Sequence, residues 1–442
     1  MSSNPPGPRD AGLGFLRSAS TGGLLRYFAG MAARYGPVSS LRFGAQRIVL
    51  VDDAELIEGV LVSRQHEFVR DTGALVLREL VGEGLLTTDD PAHLQRRRLM
   101  QPAFHRARVA QYADAIVAET ERVTATWNGE PRDIGVDMAR LTLAAVGAAL
   151  FGSALHDEAM RVSAALARVI ERGTAFGPLL ALAAPLLGPL HRMFPKRRSL
   201  LFPRERQELD AIVGPLVQRR RAVAGDDLLS LMLAARDETG GSLDDDGLRN
   251  EVVMLILAGH ETTANALTWT WYLLAEHPVV EGRLHAELDA VLGGRAPVAA
   301  DVPNLPYTAR VFDETLRLYP PAAAFGRRPL RRTEIGGYRI PALASVFVSP
   351  YVTQRNPRYF TDPLDFVPER FETATPKFAY FPFGGGSKTC IGEPFARLEA
   401  VLAIATIASR YMLRRTDSAP IAPRAQALLR PERSLEMRAV RR

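Results

Sequence analysis

The sequence predicts a mainly α-helical protein with a minor β portion, and three observations lead there. Helical spacing of apolar residues dominates the 442-residue chain, of which 47% is hydrophobic, so amphipathic helices can bury a large core. One helical pattern runs unbroken from Ser242 to His277 with an apolar middle, which suits a helix crossing the interior. Strand-like stretches are short and few. Length alone, at roughly 100–200 residues per domain, would suggest two or three domains.

In chain order, residues 1–25 begin with Pro5-Pro6-Gly7-Pro8 and read as flexible or extended, without the basic segment, apolar run and cleavage site of a secretory signal. Val38–Phe43 and Arg47–Val51 read as two strands around a turn at Gly44-Ala45. Pro91 is suited to open a helix bearing His93 to Met100. Arg108–Trp127, Asp137–Phe151 and Ala159–Arg172 read as amphipathic helices. The apolar stretch Phe176–Leu190 comes nearest to a membrane span, but Pro178, Pro185 and Pro189 interrupt it. It falls short of the ~18 uninterrupted apolar residues a span needs, so no span and a cytoplasmic location are expected. After the basic cluster Lys196-Arg197-Arg198, Gly240-Gly241 marks a break. Ser242 with Asp245 resembles a capping box for the long helix, which Pro278 ends. Another helix stops at Pro320-Pro321, and strand-like pieces return at Thr333–Ile340 and Ser345–Ser349. A helix over Glu393–Ala408 follows a loop-rich stretch.

Composition narrows the function classes. Lys plus Arg number 55 against 49 Asp plus Glu, a net charge of +6 that is a weak signal over this length. The aromatic residues form no stacking series, so a nucleic-acid partner is not expected. A single cysteine excludes an intramolecular disulfide and a four-cysteine zinc site, and fits a reducing compartment.

A lone cysteine is ordinarily a small buried hydrophobe, but the neighbours of Cys390 argue otherwise. It lies in Phe381-Pro382-Phe383-Gly384-Gly385-Gly386-Ser387-Lys388-Thr389-Cys390-Ile391-Gly392. Three glycines let backbone pass close to a flat ligand. The predicted helix after Cys390 supplies free N–H groups that favour a thiolate. Such a thiolate on haem iron favours O–O cleavage. A phosphate loop would need Gly where Ser387 stands, and a nucleophile elbow would need Gly where Thr389 stands.

Mid-way along the long helix stands Ala258-Gly259-His260-Glu261-Thr262-Thr263. Polar groups in an apolar helix are costly unless used or satisfied. A Thr bonding back to a carbonyl one turn earlier opens the helix locally and makes a groove for dioxygen and water. A zinc-protease motif is ruled out because Ala264 holds the second His position. Further on, Glu314 and Arg317 share a helix face. With Arg370 of Phe366-Val367-Pro368-Glu369-Arg370-Phe371 they could form a buried charged network that locks the loop holding Cys390.

In this order, over Ala258 to Gly392, these elements resemble the cytochrome P-450 family of haem-thiolate monooxygenases. His93 to Arg97 matches the family's haem-contacting helix, and Gln101-Pro102-Ala103-Phe104 is also similar. The resemblance covers nearly the whole chain and implies one catalytic domain, residues 1–442, with a long central helix over the haem. It implies heme b with Cys390 as the metal ligand, and insertion of one atom of O2 into a small apolar substrate such as a fatty acid, terpene or steroid. Thr262 would hold the hydroperoxide and its water, and Glu261 would relay protons. His93, Arg97, Ala258, Arg327, Phe383, Lys388 and Gly392 would contact the haem, with Arg328 as the alternative to Arg327. Lys388 departs from the usual Arg or His and cannot grip a carboxylate bidentately. Ala258, Thr262, Ala323, Ala324 and Phe325 would line the substrate pocket, and Phe176–Leu190 its entry path. Electrons would come from a separate ferredoxin or flavodoxin with its reductase, docking near Arg96 and Arg98. A haem-thiolate peroxygenase or isomerase, and a non-catalytic haem sensor, are the alternatives.

Overall fold

A computed structural model describes residues 4–9, 12–20, 23–44, 46–152, 161, 203–223, 225, 227–237, 240–425 and 427–442. The expected helix Ala159–Arg172, the segment Phe176–Leu190 and the cluster Lys196–Arg198 lie outside the described residues. The described chain is mainly helical, with its strands in four small sheets. The largest joins Val38–Phe43 (β1), Gln46–Val51 (β2), Phe68–Arg70 (β3), Phe325–Pro329 (β4) and Ser345–Val348 (β5) in the order β1-β2-β5-β4-β3. In it β2 and β5 run parallel and the other neighbours antiparallel.

Of the N-terminal stretch expected to be flexible or extended, residues 4–9 are extended, and Ser40 donates to the carbonyls of Pro5 and Pro6. Leu13–Ser20 and Leu24–Tyr35 are helices, and Phe28 and Met31 of the second pack beneath the sheet against Leu41 and Leu50. The predicted helix over 108–127 is interrupted, forming Arg106–Val109 and Ala113–Thr124.

The central helix spans Asp245–Glu276. Its cap is Asp244, whose carboxylate accepts the Gly247 N–H at 2.7 Å, rather than Ser242. A carboxylate in this position also complements the helix dipole. Pro278 ends the central helix and opens the next, Pro278–Leu292. The central helix packs on Ile134–Phe151, which by length and composition could cross a membrane but is mostly buried here. Gly259 permits that approach, because a Cβ there would lie 3.0 Å from the Val146 side chain.

Two apolar clusters divide the central helix. One includes Leu248 and Val252–Ile256, with Leu150, Leu216 and Leu402. The other includes Ala264–Leu274, with Met138, Leu284 and Ile404. Between them Leu257, Ala258, Gly259, Glu261, Thr262 and Asn265 are half-exposed. Residues 258, 261, 262 and 265 share one helix face, so the helix is open along a stripe in mid-course.

Helix Pro306–Leu318 anchors the loops that lead to Cys390. Glu314 and Arg317 are both fully buried. Arg317 donates to both Glu314 oxygens, at 2.7 and 2.8 Å, and Arg370 Nε donates to Glu314 at 2.9 Å. The remaining Arg317 donors reach the carbonyls of Gln354, Pro363 and Asp365. Gln354 donates to the Leu316 and Arg317 carbonyls and accepts the Phe381 N–H at 3.0 Å, which carries the anchorage to the cysteine loop. Removing one partner of a buried ion pair strands the other, so Arg317→Ala should destabilise the protein by roughly 3–5 kcal/mol. Denaturant unfolding measures this, and a loss below about 1 kcal/mol would reduce the pair to the standing of a surface contact.

Candidate active site

The open turn of the central helix has an unusual hydrogen-bond pattern. Thr262 Oγ1 donates to the Ala258 carbonyl at 2.7 Å, and Thr263 Oγ1 to that of Gly259 at 3.2 Å. Thr142 Oγ1, from the neighbouring helix, donates to the His260 carbonyl at 2.9 Å, and Asn265 Nδ2 to that of Glu261 at 2.8 Å. Four successive carbonyls thus accept side-chain donors that compete with the helix's own N–H groups. Gly259 itself serves helix packing against Val146. Glu261 pairs with Arg430 of strand Leu429–Pro431.

Cys390 lies just before helix Glu393–Ala408, whose N-cap is Gly392. Its N–H donates to the Phe383 carbonyl at 2.9 Å, while the Phe383 ring lies under the Arg397 guanidinium. Cys390 is exposed on its open side, yet it sits deep enough that burial pushes the thiol above its ordinary value. The N–H groups of Gly392 and Glu393 and the charge of Arg97 act the other way, as a helix start should, but are outweighed. The glycines answer to protein neighbours more than to a flat ligand. Gly384 and Gly386 have φ of 76° and 70°, the left-handed region where a side chain is strained. A Cβ at Gly385 would fall 2.5 Å from the Phe378 ring, and one at Gly386 2.0 Å from the Leu61 carbonyl oxygen.

Beside this loop positive charge converges. Arg97 donates to the Thr389 carbonyl at 2.6 Å, which ties helix Ala92–Met100 to the cysteine. Arg70 and Arg327 are cross-strand partners, so their side chains leave the same face of the sheet and like charges oppose each other. Burial and Arg327 together push Arg70 down to about 10. Arg328, the next residue along the strand, leaves the other face. His93 is buried, donates its Nδ1–H to the Asp90 carboxylate at 3.1 Å, and is pushed down to about 4 by burial and by Arg70. Lys388 is lowered by burial and pairs with Asp90 at 3.3 Å, with Asp89 at 4.0 Å.

This donor set fits haem. Among the described residues no group of three His, Cys, Asp or Glu could hold a metal ion, so Cys390 would hold iron only as part of a larger prosthetic group. The side chains of Arg97, Arg327, Lys388 and His93 suit the acidic edge of such a group.

Two expectations need correction. Ala323 is buried against Leu25 and Leu429, and its carbonyl accepts Ser349 Oγ, whereas Ala324 and Phe325 are half-exposed. Arg96 does not stand free for a docking partner, because it pairs with the buried Glu251 at 3.2 Å, while Arg98 is exposed. Glu251 also accepts the Leu85 N–H with both oxygens, at 3.0 and 3.1 Å. Sequence reasoning passed over Glu251, Arg70, Asp90, Gln354 and Arg430. Of these only Asp90, adjoining the Pro91 helix start, carried a local signal.

The family model described as Cytochrome P450 matches residues 5–438. The chain is 40% identical to a cyclooctatin synthase of Streptomyces melanosporofaciens, over 92% of this chain and 89% of that one. It is 35% identical to a cyclooctat-9-en-7-ol 5-monooxygenase of the same organism, over 88% and 85% of the two chains. To a pentalenene oxygenase of Streptomyces avermitilis it is 33% identical, over 93% and 92%. The crystal structure of the cytochrome P450DA heme domain aligns with a TM-score of 0.86 at 26% identity, covering 100% of this chain and 97% of that one.

Burial raises Glu251 from 4.5 to about 7, with the Leu85 N–H and Arg96 opposing. A carboxyl raised on folding contributes stability that is full below its unfolded value and is lost as pH climbs through the folded value. From about pH 5 to pH 8 the parent should therefore lose more stability than Glu251→Gln, by on the order of 2–3 kcal/mol. Denaturant midpoints at the two pH values measure it, and parallel slopes would show that Glu251 is charged throughout.

Proposed function

The chain belongs to the cytochrome P450 family, and we propose that it inserts one oxygen atom of O2 into a terpenoid, with Cys390 as the iron's thiolate ligand. It is an oxidoreductase of the monooxygenase class that uses haem with thiolate-ligated iron, O2, a redox partner and an apolar substrate. The observation that carries the residue assignment is the solitary Cys390, open on one side at the start of a buried helix and tied to Arg97 through the Thr389 carbonyl. The terpenoid class draws on relatives named as a pentalenene oxygenase and a cyclooctat-9-en-7-ol monooxygenase.

Haem, here heme b, supplies the activation of dioxygen when bound. The residues do the rest. Arg97, Arg327 and Lys388 would hold its propionates by charge, beside His93, whose one ring N–H is given to Asp90. Arg327 rather than Arg328 takes this role, because it shares a sheet face with Arg70. Phe383 fixes the cysteine backbone, and Gly392 leaves the sulfur's flank clear. Thr262 spends its proton on the Ala258 carbonyl, and its oxygen keeps lone pairs to accept from a water. Glu261, next to it, moves protons inward. Ala258, Ala324 and Phe325 line the substrate space with little polarity. Electrons come from a ferredoxin or flavodoxin served by its own reductase, in the cytoplasm. The acid–alcohol pair favours this reading over a peroxygenase or isomerase, which needs no electrons, and over a sensor, which performs no chemistry.

Cys390→Ser should abolish the red-shifted Soret band of the reduced carbon monoxide complex, since no second Cys can substitute. A surviving band would remove Cys390 as ligand. Thr262→Ala should leave haem and substrate binding intact and divert reducing equivalents to peroxide. Product formed per NAD(P)H, assayed on a panel of terpenoids with a working donor, should fall by about tenfold or more, as for loss of one acid–base group. An unchanged ratio would take Thr262 out of the relay.

A further inference from the structure

The acid beside Thr262 is held from far away in the chain. Arg430 forms an ion pair with Glu261 across 169 positions of sequence. Arg430 lies on a two-stranded hairpin of Pro423–Ala425 and Leu429–Pro431. The hairpin is itself pinned: the Leu429 N–H donates to the Pro321 carbonyl at 2.9 Å, and Leu429 is fully buried with Leu25 and Ala323. It therefore braces the segment leading to Ala324 against the central helix. Exposure falls inward along the pair, from 34% for the Arg430 side chain to 17% for that of Glu261. Neighbouring His260 is engaged elsewhere, its ring bonded to the Ile256 carbonyl at 2.6 Å. Arg430 Nε is buried with no hydrogen-bond partner among the described residues, so a donor stays unmatched beside the carboxylate.

A glutamate on an open helix face would ordinarily sample several rotamers. A guanidinium stops this, because it is planar and always charged. It also cannot give up its proton, so any proton passing here must ride on the carboxylate. We propose that Arg430 is a positioning residue that anchors the Glu261 carboxylate at the solvent end of a proton path whose inner end is the Thr262 hydroxyl. This rests on the reading of Glu261 and Thr262 as the relay. In one passage a hydronium ion from solvent gives its proton to the Glu261 carboxylate and leaves as water. The carboxyl gives a proton to a water held at Thr262, that water passes one of its own protons inward and remains water, and the carboxylate returns, charged, to Arg430. Arg430 exchanges none.

The test compares the haem-loaded parent with Arg430→Gln, Arg430→Lys, Glu261→Gln and the double variant Arg430→Gln/Glu261→Gln. Product per NAD(P)H and its pH dependence report the relay, and amide hydrogen exchange at Leu429 and Arg430 reports the pair directly. Arg430→Gln should lower the product ratio by roughly tenfold, part of what a positioned acid–base group supplies, and should alter its pH profile. Arg430→Lys should recover only some of this, since a flexible ammonium keeps the charge but loses the planar, pre-organised donor group. In the Glu261→Gln background Arg430→Gln should add nothing, because the two residues act as one unit. Exchange at residues 429 and 430 should quicken alike in Arg430→Gln and Glu261→Gln, while the carbon monoxide band and the substrate-induced shift match the parent's. A parent-like ratio in Arg430→Gln, or losses that add in the double variant, overturns the proposal. A parent lacking the thiolate band, or Glu261→Gln coupling as the parent does, would instead overturn the underlying relay reading and the proposal with it.

Discussion

A carboxylate with no route to water has to be paired where it stands, and Glu314 is paired by Arg317 and Arg370, with the Val367 N–H as a further donor. The rest of the proximal side hangs from this pair. The stretch from Gln354 to Phe383 has little regular structure, so its buried carbonyls need donors from elsewhere. Arg317 supplies them to Gln354, Pro363 and Asp365. Gln354 then takes the Phe381 N–H, and Phe383 two residues on takes that of Cys390. The height of the sulfur is thus set through a short series of bonds that begins at one buried ion pair. Such a pair adds little net stability over an apolar replacement, and its contribution here is to geometry.

The central helix solves an opposite problem. It must be apolar enough to join two core clusters and polar enough to work on the stretch between them. The solution is local. Thr262, Thr263, Thr142 and Asn265 each spend a donor on one of four successive carbonyls, so these side chains are satisfied within the helix pair. The same turn needs Gly259 because Val146 comes so close. Packing on one face and openness on the other are both written into six residues.

Those six residues were legible as a motif, and so were the cysteine loop and the Glu314–Arg317 spacing, because each sits within a few positions of sequence. Helix 393–408 was legible to the residue, since its apolar run begins where the glycines end. What stayed hidden was set by contacts across the chain. Arg96 reads as a surface arginine until Glu251 arrives from 155 positions away. Arg430 has no local feature that points to Glu261. Leu13–Ser20 and Leu24–Tyr35 become helices against Leu41 and Phe347, which a reading of residues 1–35 alone does not include. Ala323 was misassigned because three successive alanines give no sign of which face each takes.

The glycine loop shows why a correct motif can carry an incorrect reason. A close approach to a flat ligand predicts glycines, but so do a positive φ and a crowded protein neighbour, and the sequence does not separate them. Gly385 and Gly386 are required by Phe378 and Leu61 whatever lies beyond. The ligand's demand is visible instead in charge. Arg70 faces Arg327 across two strands, and Lys388 and His93 both turn to Asp90. Like charges opposed on a sheet are destabilising by themselves. Lys388, a compact point charge, is already drawn toward Asp90, so it can offer a bound anion only a share of its charge, whereas Arg327 keeps a planar fork for bidentate contact. Under the proposed assignment, the burden that a family arginine or histidine would carry two positions before the cysteine falls in this chain on the sheet.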